Sequence, residues 1–133
     1  MEDRYLYKAK RVDNGQWMVG CYIRYGSAGD EKDYIVPQSA SALYAIKIDP
    51  ATLCQCTGLK DKNDKLIWEN DIVEAWSEGV RARGTVKRRV DGLWLMYPAW
   101  QKGISWGLCP NDTGKTTVVR LGNKIDNPEL LEV

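Results

Sequence analysis

The stretch Gly79-Val80-Arg81-Ala82-Arg83-Gly84-Thr85-Val86-Lys87-Arg88-Arg89-Val90 decides the fold class. Read with period two, Arg81, Arg83, Thr85 and Lys87 fall on one side and Val80, Ala82, Gly84 and Val86 on the other. That is the pattern of a strand with one wet and one buried face. Gly79 and Gly84 bracket a short piece, Val80–Arg83, and Val86–Val90 follows. On the amino-terminal side, Ile72-Val73-Glu74-Ala75-Trp76 alternates in the same way. On the carboxyl-terminal side, the turn signal Asp91-Gly92 leads into Leu93-Trp94-Leu95-Met96-Tyr97, and Pro98 ends that strand.

Outward from this centre the alternation recurs, and no sustained helical period interrupts it. Val12–Arg24 reads as a hairpin around Asp13-Asn14-Gly15, with Trp17, Val19 and Cys21 on one face and Met18, Gly20 and Tyr22 on the other. Tyr34-Ile35-Val36 is a short strand stopped by Pro37, Gln38–Ser41 is a loop or a turn of helix, and Leu43–Ile48 returns to strand. Asp49-Pro50 suits the start of one helical turn. Lys60–Lys65 is the tip of a hairpin whose return strand is Leu66-Ile67-Trp68, and Glu69-Asn70-Asp71 is a further turn. Gln101–Lys115 is rich in turn formers and reads as loop before a last strand, Thr116–Leu121. Many short strands at this spacing predict a mainly β fold, a small SH3-like barrel or roll with an amino-terminal hairpin and one or two short helices.

The whole chain has 133 residues, enough for one domain, 1–133, with sub-lobes at 1–59 and 60–133. It contains no His and no Phe but six Trp and seven Tyr. Without His, the commonest general base and metal ligand are missing, and Ser-His or Cys-His nucleophile pairs are excluded. Met1–Tyr7 is charged and no uncharged run approaches the ~18 residues of a membrane helix, so the expected location is the cytoplasm. The four cysteines, Cys21, Cys54, Cys56 and Cys109, lack paired Cys-x-x-Cys spacing and read as free buried thiols rather than disulfides or a zinc site. Neither a catalytic residue, a metal nor a cofactor is expected.

Two stretches resemble ligand-binding loops and depart from them at defining positions. Cys109-Pro110-Asn111-Asp112-Thr113-Gly114-Lys115-Thr116 ends like a phosphate-binding loop, but Cys109 stands in place of its first glycine. Strand-forming Thr117-Val118-Val119 follows where a helix amino terminus is required. Asp61-Lys62-Asn63-Asp64-Lys65 starts like a calcium loop but has Leu66 at the glycine position and Ile72 at the bidentate acid. Glu69 and Asp71 flank a turn, and a turn role is assigned to them.

Charge is unevenly spread. Between Trp76 and Lys102, six cations face two acids, a local +4 within a chain of net +1, so the remainder is −3. Arg81, Arg83, Lys87, Arg88 and Arg89 are therefore candidate nucleic-acid contacts, with Trp76, Trp94, Tyr97 and Trp100 as candidate stacking or partner contacts. A wet strand face also carries Arg for solubility alone, and five cations are few beside known nucleic-acid interfaces.

Three blocks resemble the YopX family, proteins carried by bacteriophages and prophages. The first is Tyr7-Lys8-Ala9-Lys10-Arg11 with Asp13-Asn14-Gly15-Gln16-Trp17 and Gly20. The second runs from Ile48-Asp49-Pro50-Ala51-Thr52-Leu53 through Gln55-Cys56-Thr57-Gly58-Leu59-Lys60-Asp61-Lys62-Asn63 to Ile67-Trp68-Glu69-Asn70-Asp71-Ile72-Val73. The third is Leu121-Gly122-Asn123 with Asp126-Asn127-Pro128-Glu129-Leu130-Leu131. The family usually has glycine at the Asn63-Asp64 tip and at Asn70, and Asn can hold the left-handed conformation that both turns require. Proline 128 would start a short terminal helix. The resemblance implies a β-rich, SH3-like fold and carries no established activity and no catalytic residues. The resulting expectation is a non-enzymatic accessory protein, a protein-binding or self-associating module. It has no membrane and no small-molecule substrate, and nucleic-acid binding through 81–89 is the alternative.

Overall fold

In the computed structural model, residues 3–37 and 44–131 are described, and the statements below concern those residues. The predicted loop at 38–41 and residue 43 lie outside them. The chain divides into two compact units, Met1–Cys56 and Thr57–Val133.

The first unit is built on a hairpin of β1 (Tyr7–Lys10) and β2 (Trp17–Tyr25). Its turn spans Arg11–Gln16, where Arg11 N–H donates to Gln16 O and Gly15 N–H to Arg11 O. β3 (Lys32–Pro37) pairs with the other side of β2, the two-residue β4 (Ile46–Lys47) with β3, and the start of β5 (Cys54–Lys60) with β1, all antiparallel. Register decides which face is buried. Ala9, Ile35 and Ile48 form the core with Tyr7, Met18, Tyr22 and Leu53 packed around them. The opposite face holds Trp17, Val19, Cys21 and Ile23. A single 3-10 turn, Pro50–Thr52, is capped by the Asp49 carboxylate accepting from Ala51 N–H at 3.0 Å. The Tyr22 hydroxyl donates to Asp33, and that bond to a carboxylate holds the phenol above its ordinary pKa.

In the second unit, the end of β5 turns into β6 (Leu66–Trp68), and a five-stranded antiparallel sheet follows. Its strands are β7 (Asp71–Ser77), β8 (Val80–Arg88), β9 (Trp94–Tyr97), β10 (Trp106–Gly107) and β11 (Val119–Asn123), in the order β10-β9-β8-β7-β11. The core comprises Ile67, Val73, Ala75, Ala82, Val86, Met96, Ala99, Leu108 and Val118. Ala82 and Val86 are thus on the buried side of β8, as the alternation requires, whereas Thr85, expected on the wet side, is buried and Val80, expected inside, is exposed at the strand's start. Three turns share one backbone solution. In Asp61–Lys65, Arg89–Leu93 and Asn111–Lys115 the first residue's N–H donates to the last carbonyl, and the fourth residue's N–H returns to the first carbonyl. The fourth residues, Asp64, Gly92 and Gly114, all have positive φ, 65°, 94° and 85°, the left-handed residue of a three-residue hairpin loop.

The mainly β expectation holds. Neither sheet closes on itself among the described residues, so no closed barrel is present. The helical segments are single 3-10 turns, at Asp3–Tyr5, Pro50–Thr52 and Pro128–Leu131. Other differences have local causes. The left-handed tip residue is Asp64 rather than Asn63, while Asn70 takes φ 71° as expected. Thr116 bonds backbone and hydroxyl to Lys60 O, which delays the last strand to Val119. The short β10 lies within the expected loop 101–115 because Trp106 pairs with Met96.

Gly84 does not break β8, which runs through it. A Cβ there would stand 2.3 Å from Pro98 O and 2.6 Å from Met96 Cγ, so glycine is required by close approach rather than by a turn. Gly84→Ala is expected to cost about 1–3 kcal/mol in denaturant unfolding. Gly107→Ala, whose Cβ would meet nothing nearer than Cys109 Sγ at 3.9 Å, should stay within about 0.5 kcal/mol. Equal costs at the two positions would contradict this packing.

Candidate functional site

Cross-strand pairing with β7 determines what the basic stripe of β8 meets. Arg83 sits opposite Glu74 and Arg81 opposite Trp76. The Arg83 Nε donates to Glu74 Oε2 at 3.0 Å and its Nη1 to Leu130 O at 3.4 Å. Arg81 Nε lies 3.8 Å from the same Glu74 oxygen, and its guanidinium is 5.8 Å from the Trp76 ring centre. Lys87 extends over Tyr97 at 5.6 Å. Arg89 pairs with Asp91, which this guanidinium pulls down to a pKa of about 2. Arg88 is exposed. One carboxylate on the neighbouring strand thus takes up two of the five candidate cations and a second takes up another, and the stripe is less positive than its sequence.

The candidate aromatics separate into two kinds. Trp94 and Trp100 pack against the core of the second unit. Trp100 makes an edge-on contact with Trp106 at 5.3 Å and donates its Nε1–H to Val80 O at 3.1 Å. Trp76, 54% exposed, and Tyr97, 36% exposed, reach solvent. Trp76 forms a wall of a groove of about 890 Å3, with Lys62, Lys115, Cys109, Asn111 and Thr117 around it. Lys62 and Lys115 come from the two joined tips, Asp61–Lys65 and Asn111–Lys115. Lys60 N–H donates to Gly114 O at 2.9 Å and Thr116 N–H to Lys60 O at 2.8 Å. The sequence shows each lysine only within its own motif-like loop, and only the fold brings the two tips together.

The loop that resembles a phosphate cradle borders this groove, and its amides are already engaged. Asn111 Oδ1 accepts from Thr113 N–H at 2.9 Å and Lys115 N–H at 3.0 Å, and Gly114 N–H goes to Asn111 O. The backbone donors a nucleotide phosphate would need are therefore spent inside the loop. Asp61 does the same work in its own tip. Its Oδ1 accepts from Asn63 N–H at 2.8 Å and Lys65 N–H at 2.9 Å, and its Oδ2 from Arg120 N–H at 3.0 Å. Asp71 Oδ2 accepts from Trp68 N–H and from Arg120 Nε, both at 2.8 Å. Both aspartates are fully buried. The turn role read for Asp71 is present, and its long-range ion pair is not visible in the sequence.

In the first unit, the face of β2 and β3 opposite the core is also exposed. Val19, Ile23 and Tyr25 are exposed at 36%, 41% and 74%, and Cys21 between them is exposed as well. Val36 and Tyr34 pair with Cys21 and Ile23 and continue the apolar strip. None of the four cysteines is in a disulfide, and only Cys54 and Cys56 are buried, a correction to the expectation for Cys21 and Cys109. Exposure follows from alternation, since Cys21 lies on the wet side of β2 and Cys109 in a loop.

The neutralising role of Glu74 is open to test. Glu74→Gln frees Arg81 and Arg83, and is expected to delay elution from heparin to higher salt than Glu31→Gln, which removes the same charge from the first unit and frees the single Arg24. Equal shifts would mean that Glu74 does not mask the stripe.

A model of the YopX protein family matches residues 6–132. No curated protein matches the chain. The three sequence blocks fall on the amino-terminal hairpin, on the buried Asp61 and Asp71 turns, and on β11 with the terminal 3-10 turn, and the match covers all of them: the chain belongs to the YopX family.

Proposed function

We propose that the chain is a non-enzymatic, cytoplasmic accessory protein of a bacteriophage or prophage that acts by binding a protein partner. The observation that carries this reading is the apolar strip Val19, Cys21, Ile23, Tyr25, Tyr34 and Val36 on the face of the first unit's sheet opposite its core. A strip of this kind on one sheet face marks an interaction surface more often than a solvated wall. Its neighbours on the same face are lysines, of which Lys8 is buried and Lys32 is paired with Asp30 at 3.1 Å. Lys8 and Lys10 lie over the Trp17 ring at 4.8 and 5.4 Å, and Lys32 and Lys47 pair with Tyr25 and Tyr34. A basic rim favours a partner with an apolar centre and an acidic rim over a second copy of the same face. The absence of His and the engaged amides of the 111–115 loop support a binding rather than a catalytic role. The same proposal takes the second unit's meander as an SH3-like roll, a scaffold whose sites are set by loops. Nucleic-acid binding through 81–89 has less support, because Glu74 and Asp91 engage Arg81, Arg83 and Arg89.

Ile23→Asp places a charge in the strip without touching the core. Wild-type bait is expected to retain an acidic partner from host cells that Ile23→Asp bait with the same circular dichroism loses. Light scattering is expected to show a monomer for both. Identical recovery by the two baits would overturn the reading, and a wild-type dimer abolished by Ile23→Asp would replace the partner with a second copy.

A further inference from the structure

We propose that the groove beside Trp76 in the second unit binds single-stranded nucleic acid, with a base stacked on the Trp76 ring and phosphates on Lys62 and Lys115. The proposal rests on features distinct from the apolar strip of the first unit, and of the 81–89 stripe it uses only Arg81, as a support for the ring. Trp76 stands 54% exposed at the end of β7. One side of it is occupied by the Arg81 guanidinium, 5.8 Å from the ring centre. A cation stacked on an indole fixes the ring's orientation and leaves the remaining ring surface to a second planar group. The groove of about 890 Å3 is within the range of roughly 300–1,000 Å3 typical of ligand pockets.

Charge favours an anion. Lys62 and Lys115 come from the two joined tips, none of the residues lining the groove is acidic, and of the nearby acids Asp112 is exposed in the 111–115 tip and Asp64, 68% exposed at its side chain, lies 3.6 Å from Lys115. A pair that exposed is weak, and a phosphate can take the lysine from it. The Asn111 side-chain Oδ1 meanwhile engages the amides of its turn, so recognition of phosphate falls to lysine side chains as point charges rather than to a backbone cradle. Point charges beside an aromatic platform suit a strand, whose phosphates recur and whose bases all present a ring face, and they provide no sequence readout. An acidic peptide would use the lysines and leave the ring idle.

Fluorescence anisotropy of a labelled short oligothymidylate at ~50 and ~200 mM salt tests this. Two phosphate contacts on a single strand give a slope of log affinity against log salt of roughly −1.4. Trp76→Ala is expected to weaken binding on the order of tenfold and Trp76→Phe to restore most of it. Lys62→Glu with Lys115→Glu should abolish binding, and Ile23→Asp should leave it unchanged. A readout independent of variants comes from the two exposed thiols: oligothymidylate should slow alkylation of Cys109 and not that of Cys21. Failure to bind at ~50 mM salt would overturn the proposal. So would unprotected Cys109, equal affinity for a thymidine mononucleotide, or equal affinity for polyglutamate that survives Trp76→Ala.

Discussion

Two carboxylates without solvent exposure organise the second unit, and a single arginine serves both. Arg120 gives its backbone N–H to Asp61 and its Nε–H to Asp71. A buried carboxylate is costly unless its lone pairs are filled, so its position dictates where donors must be. Asp61 draws in the backbone of its own tip, and Asp71 draws in Trp68 N–H. The β5–β6 turn, the β6–β7 turn and β11 are thereby held together at one point. The left-handed residues Asp64 and Asn70 sit within these same turns, where the chain must reverse tightly around the acids.

The groove depends on that arrangement. Lys62 N–H donates to Val118 O two residues before Arg120, and the 111–115 tip joins Lys60 through Gly114 and Thr116. Lys62 and Lys115 are brought to the same side as Trp76 because both tips are fixed to β5 and β11. In the first unit the organising constraint is of another kind. A sheet with one covered face leaves β2 with Met18 and Tyr22 on the core side and Val19, Cys21 and Ile23 outside.

Local patterns were legible in the sequence, and pairings between distant segments were not. The alternation of β8 placed Ala82 and Val86 inside, and Asp91-Gly92 and Asp13-Asn14-Gly15 marked real turns. Glu74 is not legible as a partner of Arg81 and Arg83 because cross-strand neighbours follow from register, which period two alone leaves unset. The partners Asp61 and Arg120 are 59 residues apart, so the acid reads as an ordinary turn residue. Gly84 read as a breaker because a glycine needed for backbone approach looks the same as one needed for a turn. Trp94 and Trp100 read as surface anchors, and their place against the core follows from sheet packing that no single strand encodes.

The central claim, that the buried acids and Arg120 form one cooperative unit, is tested most directly by a double-mutant cycle in denaturant unfolding. Asp71→Ala, Arg120→Ala and the pair are compared. Arg120→Ala leaves Asp71 buried without its cation and should cost the most, about 3–5 kcal/mol. Asp71→Ala should cost less, because the Arg120 side chain, 27% exposed, can turn to water. The double variant should be less destabilised than the sum of the singles by more than about 1 kcal/mol, whereas additivity within about 0.5 kcal/mol would contradict the account.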